Sequence, residues 1–422
     1  MGLHHRITVD DIFVPGGIPE HTYIARERHK LESRLQMALS RGVNKLIVVT
    51  GMTKSGKTVL VNRVFPRNKA IWVDGGVASS EEEFWQSILL QMEGYTGVER
   101  TASRQSTYEI SGGLEGEGGV SWFARLKGLL ASRFQRSRLD AQSKVLEVSP
   151  KVAALKLLRD KRHPLVIDDF HYIDRTLQGK IIRALKPLIL QGSPVVLIAI
   201  PHRRYDAVKV EREMTGRIEN LPIPAWDIDE LTEIPRKGFS LLGVSISDEV
   251  SERLAQEAFG SPHLMQEFCL RLAQRLGIEQ TDHQSQPITQ LPQDLFVDVA
   301  EGTGRVVFEK LARGPRQRSD RKQRKLVSGG EADIYRVVLL AIAHLKPGLG
   351  TIEYEELRSA LRTILDENIP RANEVTRVLE KMSEIAASDE ASTPVIDWER
   401  DERRLHITDP FFAFYLKWAR DF

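Results

Sequence analysis

Apolar and polar positions alternate along residues 25–226 in the order typical of an α/β domain. Four short apolar runs rich in β-branched residues predict buried strands at 45–50, 70–74, 164–167 and 194–200. Amphipathic segments between them predict helices at 25–40, 58–64, 80–92, 150–159 and 177–190. A further strand is expected just after residue 217. This alternation predicts a parallel sheet with helices on both faces.

The pattern becomes helical after residue 226. Three amphipathic stretches, at 227–242, 247–259 and 262–276, predict a small helical lid over residues 227–278. Residues 279–330 are expected to form a linker that contains one helix (295–312) and a basic run. Residues 331–422 predict helices at 334–344, 354–365 and 372–387, two short β segments at 394–398 and 404–407, and a terminal helix. That order is typical of a winged-helix domain.

Two further segments interrupt these patterns. Residues 1–24 carry Pro15, Gly16, Gly17 and Pro19, which predict an extended, turn-rich lead-in. Residues 95–145 have several glycines and no clear period, so we expect an insertion in the α/β domain as a loop or glycine-rich hairpin.

Composition narrows the class of protein without naming a function. The 422 residues include 60 Lys or Arg and 58 Asp or Glu, a net charge of +2 that does not by itself indicate nucleic acid. The single cysteine, Cys269, excludes a disulfide framework and a cysteine-based zinc site. No apolar run reaches the roughly 20 residues that cross a bilayer, and no signal peptide is evident. We therefore expect a soluble protein of the cytoplasm.

Residues 51–58, GMTKSGKT, match the pattern G-x-x-x-x-G-K-[ST] at every fixed position. In such a loop the backbone N–H groups surround phosphates, the lysine reaches the β- and γ-phosphates, and the Ser/Thr hydroxyl ligates Mg²⁺. A predicted strand precedes the loop and a predicted helix follows it, as this reading requires. The nucleotide-binding candidates are Gly51, Thr53, Lys54, Ser55, Gly56, Lys57, Thr58 and Val59.

An acidic motif follows about 110 residues after this loop, where the apolar run LVI ends in Asp168 and Asp169. Asp168 is expected to hold Mg²⁺ together with Thr58, and Asp169 to orient the attacking water. An aspartate reaches less far than a glutamate at this place. The sequence therefore predicts slow hydrolysis, or hydrolysis that depends on assembly.

Three other polar residues are candidates for reading the γ-phosphate. His202 and Arg203 follow the fourth strand, whose carboxyl end should face the ligand. Arg217 could act in trans as an arginine finger on a neighbouring subunit. Surface or solvated side chains explain these residues about equally well. No guanine-reading N-K-x-D follows the acidic strand, which favours ATP/ADP.

These motifs resemble the STAND signalling ATPases, a superfamily close to AAA+ and origin-recognition ATPases, over about residues 15–275. Residues 51–58 correspond to its Walker A motif and 165–169 (LVIDD) to its Walker B motif. Tyr23 and Arg26 lie in a segment similar to the h-h-G-R-E motif beside adenine, with Ala25 in place of glycine. Pro262, in Gly260-Ser-Pro, is similar to the lid proline that contacts the base.

The resemblance implies an α/β P-loop NTPase fold followed by a helical lid and an α+β winged-helix domain. It also implies a switch that ADP holds closed and that assembles into a homo-oligomer with ATP. The chain lacks an obvious effector domain and repeat array, so a separate effector protein is expected. The resemblance also suggests a role of this switch in bacterial antiviral defence. The alternative is a DNA-binding ATPase similar to origin-recognition or transposition regulators. A kinase is disfavoured because no substrate pocket is evident.

Two features of the C-terminal region each allow both a structural and a functional interpretation. Residues 313–325 hold seven Lys or Arg and one acid, a run that fits a solvated linker, nucleic acid or an acidic protein surface. Phe411, Phe414, Tyr415 and Trp418 recur at helical spacing, which fits core packing or a partner-docking helix.

Overall fold

The computed structural model describes residues 7–40, 44–102, 149–200, 214, 216–280, 286–315, 321–387 and 394–420. Most of the expected insertion, and His202 and Arg203, lie outside the described residues. Among the described residues, no helix combines the length and apolar character needed to cross a membrane.

The α/β domain is built on five parallel strands in the order β2-β3-β4-β1-β5. The strands are β1 (Leu46–Thr50), β2 (Ile71–Asp74), β3 (Leu165–Asp168), β4 (Val195–Ala199) and β5 (Ile218–Pro222). The helices are α1 (Val9–Ile12), α2 (Leu31–Ser40), α3 (Lys57–Val64), α4 (Glu81–Ala102), α5 (Pro150–Lys161) and α6 (Arg175–Leu190). Side chains of α2 and α3 share one core with one face of the sheet, and those of α4, α5 and α6 share another with the opposite face. The predicted doubly covered parallel sheet is confirmed.

The strand order determines which residues meet at the carboxyl edge of the sheet. β4 lies between β1, which leads into residues 51–58, and β3, which ends at Asp168. In the register of β2 with β3, Asp74 is paired with Asp168. The loop and the carboxylates therefore face each other across the end of β4, where parallel sheets bind ligands.

The remaining helices form the lid and the C-terminal region. The lid contains α7 (Ile228–Leu241), α8 (Asp248–Glu257) and α9 (Pro262–Arg275), each close to its predicted range. Then follow α10 (Leu295–Thr303), α11 (Arg305–Arg313), β6 (Arg324–Lys325), β7 (Glu331–Ala332), α12 (Ile334–His344), β8 (Thr351–Glu353), α13 (Tyr354–Ile364), α14 (Ala372–Ala387), β9 (Ile396–Glu399), β10 (Arg404–Ile407) and α15 (Pro410–Trp418). Three helices with the antiparallel sheet β8-β10-β9 form the expected winged helix.

The lid and the C-terminal region share one hydrophobic core. This cluster runs from α1 through the lid helices to α15 and includes Phe13, Phe268, Phe308 and Phe414, all buried. Glu257 of α8, also buried, accepts hydrogen bonds from Lys417 Nζ and Trp418 Nε1, both at 2.7 Å. The lid and the winged helix are thus packed as a single unit against the α/β domain. The aromatic residues of α15 are core residues, as the first of the two interpretations held.

Several predicted elements differ from the observed ones. The lead-in contains a helical turn, α1, capped by Thr8. The helix expected at 25–40 begins only at Leu31, because Arg26 and Lys30 adopt left-handed backbone conformations on either side of a 3-10 turn. The insertion was expected from residue 95, but α4 continues to Ala102 through two glycines that weakened the helical pattern.

The segment predicted as a linker, residues 279–330, also contains more structure than expected. The helix expected at 295–312 is two helices that meet at Gly304, where a Cβ would lie 2.1 Å from Tyr415 Cβ. Leu295 and Phe308 from these helices lie in the shared core. This stretch therefore packs as part of the C-terminal unit.

Candidate functional site

The loop at 51–58 has the backbone shape that its glycines predict. Gly56 has φ +86° and caps α3, and Lys54 has φ +59°. A Cβ at Gly51 would lie 3.0 Å from both Ile223 Cβ and Ser55 Oγ, so only glycine fits there without movement of a neighbour. Such a concave loop, followed by a helix N-terminus, is suited to binding phosphate.

Lys57 lies at the first position of α3 and is 7% exposed. Its Nζ donates hydrogen bonds to the carbonyl oxygens of Gly51 (3.0 Å) and Met52 (2.8 Å). Burial lowers the pKa of Lys57 from 10.5 to about 8, while Asp169 and Asp168 oppose that shift. The side chain is still a cation at neutral pH, held at the mouth of the loop.

The carboxylates lie opposite Lys57. Thr58 Oγ1 donates to Asp168 Oδ1 at 3.3 Å, and burial raises the pKa of Asp168. Burial, followed by the charges of Asp168 and Asp74, raises the pKa of Asp169 to about 7. Asp169 has φ +48°, a turn that brings its carboxyl group beside that of Asp168. Thr58, Asp168 and Asp169 therefore lie together with Lys57.

Gly75 is a structural support of this site that the sequence analysis missed. Its N–H donates to the Asp168 carbonyl at 2.8 Å. A Cβ at Gly75 would lie only 2.4 Å from the Asp169 carbonyl oxygen. The pair Gly75-Gly76 directly after a strand was the available signal. Close approach of two backbones at the carboxyl edge of the sheet explains the glycine.

Replacement of Gly75 by alanine is therefore expected to displace the acidic turn. We expect a loss of about 1–3 kcal/mol in the free energy of unfolding, because neither backbone can yield easily. ATP hydrolysis should fall with it, since Asp168 and Asp169 move. Urea unfolding and a phosphate-release assay measure the two effects. The control is Gly302→Ala in α10, where a Cβ meets nothing within 4 Å. Equal stability of the two variants would contradict this role of Gly75.

The lid contacts the loop directly. Trp226 Nε1 donates to the Ser55 carbonyl at 2.9 Å, and Ser261 Oγ donates to the Lys54 carbonyl at 3.3 Å. Pro262 Cγ lies 3.9 Å from where a Cβ of Gly56 would stand. The Gly260-Ser-Pro segment therefore lies against the phosphate-binding loop, with Pro262 facing the cavity.

Tyr23 and Arg26 take different places. Tyr23 lines the cavity, where burial and a hydrogen bond with Glu32 raise its pKa. Arg26 instead bonds the carbonyls of residues 224 and 225, both at 2.9 Å, and pairs with buried Glu230 at 2.8 Å. Its guanidinium stacks on Trp226, 4.6 Å from the ring centroid. Arg26 thus fastens the start of the lid and does not line the cavity.

The winged helix supplies an unexpected wall of the site. Asp409, the N-cap of α15, pairs with Lys54 Nζ of the loop at 2.6 Å. The same ammonium lies 4.2 Å from the ring centroid of Phe411. His263 packs on Phe411, and its pKa is lowered to about 4 by burial and by Lys54. Nothing in the local pattern could reveal a contact between residues 355 positions apart.

These parts enclose one cavity of about 960 Å³. The lead-in, the loop, the acidic turn, the lid and the winged helix all line it. Examples from these parts are Ile18, Thr53, Val59, Asp168, Pro262 and Phe411. Ile200, the residue after β4, also faces the cavity. Whatever binds at the loop is therefore enclosed by both halves of the molecule.

Of the two remaining catalytic candidates, only Arg217 can be placed relative to this cavity. Arg203 lies outside the described residues. Arg217 is exposed and stands at the amino end of β5, where its carbonyl accepts a hydrogen bond from Leu46 N. The loop is at the carboxyl end of the sheet, so Arg217 cannot reach the site of its own chain. An exposed position there fits either action in trans or a solvated side chain.

The residues present fit a nucleoside triphosphate with Mg²⁺. Ser55 Oγ is buried in the loop and has no hydrogen-bond partner within the described part of the protein. The Thr58 hydroxyl and the Asp168 carboxylate form the oxygen donor pair that Mg²⁺ prefers. Lys57 supplies the cation that a phosphate requires.

The basic run and the winged helix are less suited to nucleic acid than the sequence allowed. Of the described cations in the run, Arg321 pairs with Asp333 at 2.7 Å, and Arg324 is 4% exposed and pairs with Glu374. Helix α14, the third of the winged helix, carries three acidic and two basic residues, and the turn between β9 and β10 carries two of each. These surfaces lack the excess of positive charge that phosphate backbones require.

Among comparisons with known proteins, only solved structures gave matches. No family model matches the sequence, and a search of the curated proteins found no match. The structure is similar to a Walker-type ATPase of Pyrococcus abyssi, with 16% identity over 93% of this chain and 97% of that chain and a TM-score of 0.52. It is also similar to the ORC1 protein of Aeropyrum pernix in complex with DNA (13% identity, 96% and 95% covered, TM-score 0.45). A STAND protein with a tetratricopeptide repeat sensor from Pyrococcus horikoshii matches with 15% identity over 93% of this chain and 42% of that chain (TM-score 0.36). The similarity to the Walker-type ATPase confirms the P-loop NTPase fold.

Proposed function

We propose that the chain is an ATP-binding, slowly hydrolysing molecular switch of STAND type that assembles when ATP replaces ADP. The observation that carries this proposal is the ion pair between Lys54 of the phosphate-binding loop and Asp409 of the winged helix. A C-terminal domain that touches the phosphate-binding loop can respond to the nucleotide. A constitutive phosphotransferase has no need of such a contact.

Different residues of the chain would bind the phosphates, hold the metal ion and activate the attacking water. Backbone amides of residues 51–58 and the Lys57 ammonium would bind the phosphates, which replace the carbonyl partners of Nζ. Thr58 and Asp168 would hold Mg²⁺, which offsets phosphate charge when bound. Asp169 would orient the attacking water and accept its proton. The lead-in around Tyr23 and the lid around Pro262 would enclose the base.

The switching proposal depends on how the halves are joined. The lid and winged helix share one core, whereas their polar contacts to the loop are few: Trp226 to Ser55, Ser261 to Lys54, and Asp409 to Lys54. We propose that the lid and winged helix move as one body about residues 223–227. As in the superfamily it resembles, the switch would act on a separate effector protein, in a process such as antiviral defence.

Asp409→Asn tests whether the ion pair with Lys54 keeps the lid and winged helix closed over the nucleotide. Asparagine is as good an N-cap as aspartate, so α15 keeps its cap while the charge on Lys54 loses its partner. The pair joins a part-exposed ammonium to a buried carboxylate, so we expect a cost of about 1 kcal/mol. That predicts release of a fluorescent ADP analogue about fivefold faster, measured by stopped flow. The matched control is Asp333→Asn, another ion-paired N-cap, far from the cavity in sequence and absent from its lining. Equal release rates in the three proteins would contradict the proposed closure.

DNA binding is the second candidate, because the C-terminal domain has a winged-helix fold. The small acidic excess of α14 favours the switch. Duplex DNA binding that weakens steeply with salt would instead support the second candidate.

A further inference from the structure

Two oppositely charged surfaces stand on different parts of the chain, although the net charge is only +2. Helices α5 and α6 together carry eight Lys or Arg and one acidic residue, Asp160. They lie side by side over the sheet, since Leu158 of α5 and Ile181 of α6 belong to one core cluster. Their outer surface is therefore strongly basic.

The basic face is defined by three exposed cations: Lys156 and Arg159 of α5 and Lys180 of α6. Lys156 and Arg159 continue the exposed stripe of Val152, which is 55% exposed, at helical spacing. Lys156 and Arg159 form no ion pair within the described part of the chain. The face thus combines unpaired positive charge with one exposed apolar side chain.

The lid carries the opposite charge. Helices α7 and α8 hold seven acidic residues and three basic ones. The acidic lid stripe is defined by Asp229 and Glu233, four apart on α7, and Glu249 and Glu252, three apart on α8. All four are exposed and have no ion pair among the described residues. Ile228, 42% exposed, lies beside them and offers an apolar contact.

From this complementarity we infer that the basic face of one copy binds the acidic lid stripe of a second copy. The inference rests on the proposed function and names the surface through which the switch assembles. Contact between two different surfaces of the same chain is heterologous, so it continues from copy to copy until a ring closes or a filament grows. Nucleic acid could explain the basic face alone, but it would leave the acidic lid stripe without a partner.

The position of the acidic lid stripe couples this contact to the nucleotide. Helix α7 starts two residues after Trp226, which bonds the phosphate-binding loop. Arg26 and Arg28, at the 3-10 turn before α2, pair with Glu230 at 2.8 and 2.9 Å, and Arg28 also pairs with Asp227. A nucleotide that changes the contact between loop and lid therefore moves the acidic lid stripe relative to the basic face.

Charge reversal tests the pairing. One variant, K156E/R159E, makes the basic face acidic, and the other, D229K/E233K, makes the acidic lid stripe basic. With Mg²⁺ and a non-hydrolysable ATP analogue, each alone should assemble at least about tenfold more weakly than wild type, because like charges then face each other. An equimolar mixture should assemble again, since every contact between unlike variants is complementary. Light scattering measures the masses, and higher salt should weaken wild-type assembly.

Controls separate this inference from the proposed function. R371E/R377E, with Arg371 just before α14 and Arg377 on it, makes the same change in net charge as K156E/R159E and should assemble as wild type does. All variants should bind the ATP analogue with wild-type affinity, which shows that they are folded. Normal assembly of the reversed variants, or a mixture that stays monomeric, would overturn the pairing while the switch stands. Loss of duplex binding by K156E/R159E with unchanged assembly would assign the basic face to nucleic acid. A wild-type chain that never assembles would contradict the switch itself.

Discussion

ATP binding is expected to weaken about 100-fold when Lys57 is replaced by alanine. The Lys57 ammonium is buried, remains charged at neutral pH and sits at the mouth of the loop. A charge-assisted hydrogen bond in such a place contributes roughly 1.5–3 kcal/mol, and each 1.4 kcal/mol is a factor of ten in affinity. Calorimetric titration with Mg·ATP measures the change.

Lys45→Ala is the matched control for that variant. Lys45 stands just before β1, the strand that leads into the phosphate-binding loop. Its side chain is 41% exposed and pairs with exposed Glu219. Its loss should leave ATP binding unchanged. A Lys57→Ala protein that unfolds at the wild-type temperature and binds ATP within about threefold of wild type would refute the proposed role of the loop lysine.

Hydrolysis is expected to fall about 100-fold in Asp169→Asn, while ATP binding changes less than about threefold. A positioned proton acceptor contributes 10²–10⁴-fold to such reactions, and asparagine cannot accept the proton. Asparagine is preferred to alanine here, because Asp169 has φ +48° and asparagine tolerates that conformation. Single-turnover phosphate release measures hydrolysis separately from binding.

The control for this second variant is Asp174→Asn. Asp174 is the exposed N-cap of α6, five residues further along the chain. An amide there keeps the cap and removes one nearby negative charge, so hydrolysis should continue at the wild-type rate. If Asp169→Asn hydrolysed ATP as fast as this control, another group would have to accept the proton.

Elements set by local pattern could be predicted from the sequence. β1, β3 and β4 are buried on both faces, so they read as continuous apolar runs. The lid helices carry their own start signals: a capping box at Asp227 and N-caps at Ser247 and Ser261. The phosphate-binding loop is a motif of eight consecutive residues, so its place at the end of β1 followed directly.

Features that depend on distant residues could not be predicted in this way. The pair of Lys54 with Asp409 and the packing of Gly304 on Tyr415 join segments that share no period or motif. Arg26 matched a motif beside adenine, yet its partners are carbonyls at the end of the α/β domain and Glu230 of the lid, about 200 residues away. The single core of lid and winged helix was hidden for the same reason, because a predicted helix at 295–312 does not show which domain it packs against.

The mass of the particle formed with each nucleotide tests the central claim most directly. Wild-type protein is measured by light scattering with ADP, and again with Mg²⁺ and a non-hydrolysable ATP analogue, with Lys57→Ala alongside. The account predicts a monomer with ADP, a defined multiple of the 47.8 kDa chain with the analogue, and no change for Lys57→Ala. A single mass shared by the wild-type protein in both nucleotides would contradict a switch that ATP drives.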